Sequence, residues 1–319
     1  MKYFFLNLLL GFLCIPTFSQ YSFSPIPRVY DRGTNKFEPE DLARFKRTTT
    51  VFVYRKEQEK DTAQFRQLLR ENWTVTPFLL VPYANFNQYS GQLQYSYFSL
   101  GGFVKYSSNS GTITRLYYVL GMNVMGKKEV EDVFLARILL HPKPETVEKS
   151  ERSSGEEMMK YLHADGQFYT GGMGFLKNFI AHTNRQLQKD QPYFFMYDVI
   201  INEQLANLKT GTLYIPDHVA GYFHSSSGKL EQRTKEEMND LLEKYHGKYE
   251  LISAEALNQK ILTSKEPFYY LLYTRSASDK FVTVVNSLTG QPVYSVYYPL
   301  SYNIKDSDFK SLSKEVGFN

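Results

Sequence analysis

Thr234-Lys235-Glu236-Glu237-Met238-Asn239-Asp240-Leu241-Leu242-Glu243-Lys244-Tyr245 spells a helix from its first residue, and Tyr249-Glu250-Leu251-Ile252 after it spells a strand. Thr234 and Glu237 form a capping box, in which hydroxyl and carboxylate satisfy orphan amides at the helix start. Met238, Leu241, Leu242 and Tyr245 recur at i, i+3, i+4 and i+7, the apolar stripe of an amphipathic helix. Gly247 is placed to supply a left-handed cap. Just upstream, Thr212-Leu213-Tyr214-Ile215 reads as a strand. Downstream, Ala256-Leu257-Asn258-Gln259 reads as a short helix and residues 268–273 as another strand.

The same order occurs earlier in the chain. Thr50-Val51-Phe52-Val53-Tyr54 is a strand, and Asp61 or Thr62 caps a helix with Phe65, Leu68, Leu69 and Trp73 on one face. Pro77-Phe78-Leu79-Leu80-Val81 is a buried strand, Ala84-Asn85-Phe86-Asn87-Gln88 a turn or short helix, and 95–100 a third strand. Each copy continues into a hairpin: Ser108-Asn109-Ser110-Gly111 precedes Tyr117-Tyr118, and Asn286-Ser287-Leu288-Thr289-Gly290 precedes Tyr297-Tyr298. A helix closes each, over 175–187 and 308–316. The expectation is an α/β chain, bordering on α+β, of two tandem diverged β-α-β-α-β-β-α units with mixed sheets covered by helices. That element order is similar to the thioredoxin fold, without the redox Cys-x-x-Cys that would make such a unit active.

The boundaries follow. Residues 1–19 read as a secretory signal: Lys2, an apolar run over 3–15, and Thr17 and Ser19 ahead of a cut after Ser19. The address is therefore periplasm, outer surface or exterior. The run is too short to span a membrane as a helix. Cys14 would suit a lipoprotein, but Leu13 stands where a small residue belongs. Residues 20–46 form an N-terminal extension whose Pro25, Pro27 and Pro39 argue against regular structure. Residues 47–142 are the first unit, with a strand over 130–140 broken by His141-Pro142-Lys143-Pro144. Residues 143–208 are a linker, polar and exposed over 149–155, with a helix at about 173–188. Residues 209–319 are the second unit.

Composition excludes more than it suggests. Cys14 is the only cysteine, so the processed chain forms no disulfide and runs no thiol chemistry. The net charge of +4 falls to +3 without Lys2, which argues against nucleic acid as a partner. Aromatics are 16% of the chain, almost all Tyr and Phe with one Trp, which suits a sheet-rich core more than a row of sugar platforms. With its signal ending in Phe18-Ser19-Gln20, its tyrosine-rich strands and Gly174-Phe175-Leu176-Lys177-Asn178 opening the linker helix, the chain resembles exported proteins of Bacteroidetes. That resemblance implies an address but no activity.

No catalytic, cofactor or metal signature survives. His224-Ser225-Ser226-Ser227-Gly228-Lys229 has Phe223 and Leu230 where a phosphate-binding loop needs Gly and Ser or Thr. Gly171-Gly172-Met173-Gly174 lacks the third glycine of a dinucleotide fingerprint and reads as a helix entry. The six histidines are dispersed, with His163 in a turn and His182 at a helix edge. Asp61-Thr62-Ala63 has the form of a bacterial O-glycosylation site, but the same residues serve as a helix cap. The two copies differ at one place: six residues, 55–60, join strand to helix in the first, and eighteen, 216–233, in the second. Ligands of open α/β sheets gather beyond the carboxyl ends of strands. Asp217, His218, Tyr222, His224 and Lys229 of this loop are therefore the candidate ligand or partner residues. The expected function is that of an exported binding or scaffold protein with a protein or glycan partner, leaning away from an enzyme. The alternative is a hydrolase of polysaccharide or peptide whose carboxylates or histidines only the fold brings together.

Overall fold

A computed structural model describes residues 20–23, 30–31, 39–107, 111–125, 130–191, 193–194, 199–224, 229–276 and 278–318. The stretch expected to be an export signal, with Cys14, the expected turn at 108–110 and the 225–228 part of the rejected phosphate motif lie outside them.

The first half runs β1 (Gln20–Phe23), β2 (Tyr30–Asp31), α1 (Pro39–Phe45), β3 (Thr49–Tyr54), α2 (Thr62–Asn72), β4 (Phe78–Pro82), β5 (Tyr95–Ser107), β6 (Gly111–Met125) and β7 (Val130–Leu140). Helices α3 (Pro144–Arg152), α4 (Gly155–Ala164) and α5 (Met173–Gln188) follow, then the two-residue strands β8 (Tyr193–Phe194) and β9 (Ile200–Ile201). The second half is β10 (Thr212–Pro216), β11 (Gly221–His224), β12 (Lys229–Gln232), α6 (Lys235–Glu243), β13 (Lys248–Ile252), α7 (Ala254–Thr263), β14 (Tyr269–Arg275), β15 (Asp279–Asn286), β16 (Pro292–Pro299) and α8 (Asp306–Val316).

Two mixed sheets result, and they share one plan. The first carries the order β4-β3-β5-β6-β7 and the second β13-β10-β14-β15-β16. In both, the first three strands are parallel and the last two reverse direction in turn. The hairpins expected from sequence pair differently. Tyr117-Tyr118 lie on β6, the fourth strand of its sheet, and Tyr297-Tyr298 on β16, the fifth. The turn between β14 and β15 carries neither Gly nor Pro, and its one sequence signal is the polar cluster Ser276-Ala277-Ser278-Asp279.

Of the extension, Pro25 and Pro27 lie outside the described residues, and the described parts form regular elements. β1 pairs with the distal half of β5, β2 pairs with β7, and Pro39 begins α1, where a missing amide costs nothing. Leu42 and Phe45 of α1 are buried. Asp61 stands at the cap of α2 without a side-chain bond to the helix, and the preceding connection is a 3-10 turn, Lys56–Asp61. The Thr234–Glu237 capping box is present, and Met238, Leu241, Leu242 and Tyr245 are all buried. Gly247 is not left-handed: α6 ends at Glu243, and a Cβ at Gly247 would meet the Phe318 ring and the Tyr245 hydroxyl. The left-handed cap belongs to Gly317, after α8.

Residues 143–208 do not behave as a linker. Over 149–155, expected at the surface, Lys149, Glu151, Arg152 and Ser154 are exposed while Ser150 and Ser153 are buried. Helix α5 buries residues on every side, from Phe175, Leu176, Phe179 and Ile180 to Asn178, Thr183 and Asn184. A helix apolar around its circumference belongs inside a core. One core cluster joins α1, α2, α4 and α5 to a face of the first sheet and extends to Leu257 and Ile261 of α7 and to Tyr270, Leu272 and Val285 of the second sheet. The outer face of the second sheet packs on α6 and α8. Glycines let α5 approach α7 closely: a Cβ on Gly172 or Gly174 would run into Asn258, whose side chain accepts the Gly174 amide at 2.8 Å. Gly290, at φ 66°, lets the β15–β16 turn rest on the Asn178 carbonyl.

Candidate functional site

The described parts of the 216–233 segment, 216–224 and 229–233, have regular structure. After β10 a 3-10 turn, Asp217–Ala220, leads into the antiparallel hairpin β11–β12, in which Tyr222 faces Glu231 and His224 faces Lys229 in register. Asn303 pins this hairpin through both backbone groups of Phe223, at 2.8 and 2.9 Å. The Phe223 ring packs on Tyr302 and under the Arg275 guanidinium. Arg233 closes the base, donating to the carbonyls of Val219 and Ile304 at 3.1 and 2.8 Å.

The five expected residues do not converge. The Asp217 carboxylate accepts the Ala254 amide at 3.2 Å, at the start of α7. His218 turns into the core between the two sheets, its ring 5.0 Å from that of His141 and stacked 4.6 Å from that of Tyr169. Among the described residues no group meets either ring nitrogen at full hydrogen-bond geometry, the Tyr273 carbonyl being the polar group nearby. Burial holds it neutral, lowered to about 4, against a smaller raising contribution from the Tyr273 carbonyl. His141, whose Nδ1 lies 3.0 Å from that same carbonyl, is pushed well below the ordinary histidine value by burial and by His218. Tyr222, His224 and Lys229 stay on the hairpin, where His224 meets Glu231 at 3.0 Å.

The surface feature that the hairpin does build is a groove of about 630 Å³ between β11, α6 and the 300–306 segment. Tyr222 lies at its side, 41% exposed, with the Arg233 guanidinium 5.1 Å over its ring. Tyr302, Asp240 and Asp306 also line it, as does Glu237, whose carboxylate is held low by the Thr234 amide and hydroxyl it caps. The 300–306 segment that lines the groove is anchored from below. Buried Lys280 donates to the Asn303 carbonyl at 2.6 Å and pairs with buried Asp308. Of this site the sequence named Tyr222 alone. Arg233 stood beside the capping box as its one available signal, and Tyr302 belongs to a segment 69 residues further on.

One arrangement elsewhere has the parts of a nucleophile and base. Ser99 Oγ lies 3.1 Å from His163 Nε2, and His163 Nδ1 lies 2.9 Å from the Met159 carbonyl. His163 thus sits within α4 and not in a turn. Ser99 is fully buried, Tyr83 is stacked on the His163 ring at 4.0 Å, and burial lowers His163 to about 4. An imidazole so depressed is a weak base at neutral pH, so the pair serves the core. His182 is likewise interior to α5, lowered to about 3 by burial. Among the described residues no three His, Cys, Asp or Glu side chains gather as metal ligands, and no helix is long and apolar enough to cross a membrane.

Comparison with known proteins returns no match from family models, curated proteins or solved structures. The functional reading therefore rests on the site.

Proposed function

We propose that this is an exported, non-enzymatic binding protein of a bacterial envelope or exterior, and that its groove takes a glycan. The observation that carries the reading is the exposed Tyr222 ring, backed by Arg233, beside a rim in which the carboxylates of Asp240 and Asp306 stand among Lys244 and Lys305. An aromatic face packs on the apolar side of a sugar ring, and carboxylates accept hydrogen bonds from its hydroxyls. The Asn303 and Lys280 anchors hold that surface in place before a ligand arrives, which lowers the cost of ordering it on binding. The signal-like N-terminus and the likeness to exported Bacteroidetes proteins support the address. The shared strand plan of the two sheets supports a duplicated, thioredoxin-like module from which the groove-forming hairpin grew in one copy only.

The test is a glycan array followed by calorimetry on the best hit. Tyr222→Ala should weaken binding by about tenfold or more, since loss of an aromatic contact is worth roughly 1–3 kcal/mol. Asp240→Ala should weaken it less. A protein that retains no glycan, or a Tyr222→Ala variant that binds as well as the parent, would sink the reading.

A further inference from the structure

Strand β13 is the edge of the second sheet: it pairs with β10, and no described strand lies on its other side. Edge strands usually hide at least one face, as β4 does at the matching edge of the first sheet, where its residues are half-buried or buried. In β13, Lys248, Tyr249, Glu250 and Leu251 are all exposed, so both faces and the outer backbone are open. Tyr249 and Leu251 are 39% and 47% exposed, two large apolar side chains on one side of a free edge. An open edge is a template for pairing with another strand.

We infer that β13 is a homodimer interface, pairing antiparallel with β13 of a second copy about a twofold axis at Tyr249. The charges select that partner and that register. With the axis at Tyr249, Lys248 of each copy stands opposite Glu250 of the other, twice, and Tyr249 meets its own equivalent. Leu251 falls opposite Gly247, where it meets the Phe318 ring that covers that glycine. With the axis at Glu250, two carboxylates would face each other, and like charges directly opposed are unfavourable. With the axis between residues 249 and 250, Lys248 would face Leu251 and both charge pairs would be lost. Because side chains alternate with a period of two, each slip of one residue changes the pairing of every side chain. The two six-stranded sheets would thereby become one continuous sheet across the axis.

The experiment is sedimentation velocity on the purified protein over a concentration series reaching about 100 µM, a range suited to a short interface. The parent should dimerise. Lys248→Glu and Glu250→Lys should each weaken self-association by roughly tenfold or more, as two attractive cross-strand pairs become repulsive. Mixed with each other, the two variants should recover a heterodimer, because one edge then carries only Glu and the other only Lys. The double reversal, K248E with E250K, should recover the homodimer. Both sites are exposed, so unchanged melting curves will show that the variants remain folded. A parent that stays monomeric throughout, a dimer indifferent to either reversal, or failure of the mixture to associate overturns the inference.

Discussion

Lys280 shows how much one residue can hold. It is fully buried on β15, its ammonium shared between the Asn303 carbonyl and the Asp308 carboxylate, and burial lowers its pKa against the raising effect of Asp308. Asp308 in turn accepts the Lys305 amide at the start of α8. Removing one partner of a buried ion pair leaves the other charge without compensation, at a cost of about 3–5 kcal/mol. Lys280→Met should lower the urea midpoint accordingly, and adding Asp308→Asn should recover part of the loss. A Lys280→Met protein as stable as the parent would show that the pair contributes nothing. None of this is readable locally: Lys280 follows Asp279 in a strand where a sequence pattern places it at the surface. Its burial depends on a helix that begins 26 residues later. His218 is a second case, since its fate was set by Tyr169 and His141, far away in the chain.

Among the elements, α5 carries the largest burden because both sheets lean on it. Its glycines are spaced for contact with α7, and their effects should separate. The obstruction at Gly172 is the Asn258 side chain, while at Gly174 it begins with the Asn258 backbone carbonyl. Gly172→Ala and Gly174→Ala should each cost roughly 1–3 kcal/mol from overpacking. In an Asn258→Ala background the Gly172 penalty should shrink and the Gly174 penalty persist, a non-additivity that a double-mutant cycle reads from denaturation midpoints. Equal penalties in both backgrounds would mean that the α5–α7 approach is looser than described. The helix itself was legible in the sequence from its period, and the Gly-Gly-x-Gly entry signalled a special backbone. That the reason is close packing, and that the supposed linker is the centre of the core, needed Asn258 to be placed beside it.

At the scale of the molecule, the buried histidines make stability depend on pH. His163 and His218 are lowered to about 4 and His182 to about 3, in each case chiefly by burial, while an unfolded chain titrates near 6.5. Between those values the unfolded state binds more protons than the folded one, so stability rises with pH. It is complete above about 6.5 and falls as the pH drops toward 4, by roughly 3 kcal/mol for each of His163 and His218. Urea unfolding at pH 7 and pH 4.5 should show the loss, and His218→Phe, which keeps a ring against Tyr169, should reduce it. A midpoint unchanged between the two pH values would show that these imidazoles are already accessible to protons in the folded state.

The sequence alone determined the parts whose cause lies within a few residues: the strands and helices of both units other than β15, the Thr234–Glu237 capping box and the break after β7. Periodicity and capping are local physics, and they survive folding. It also located the segment where the two halves differ, since a difference in length needs no coordinates. The tertiary structure decided which strands are equivalent, because strand order is a matter of pairing across the sheet and a turn without Gly or Pro is a weak mark for a whole hairpin. It decided that His218 is core while Tyr222 faces a groove, although four residues separate them, because burial is set by what packs from elsewhere in the chain. The open edge at β13 was decided in the same way: a strand is an edge only when nothing distant comes to lie beside it.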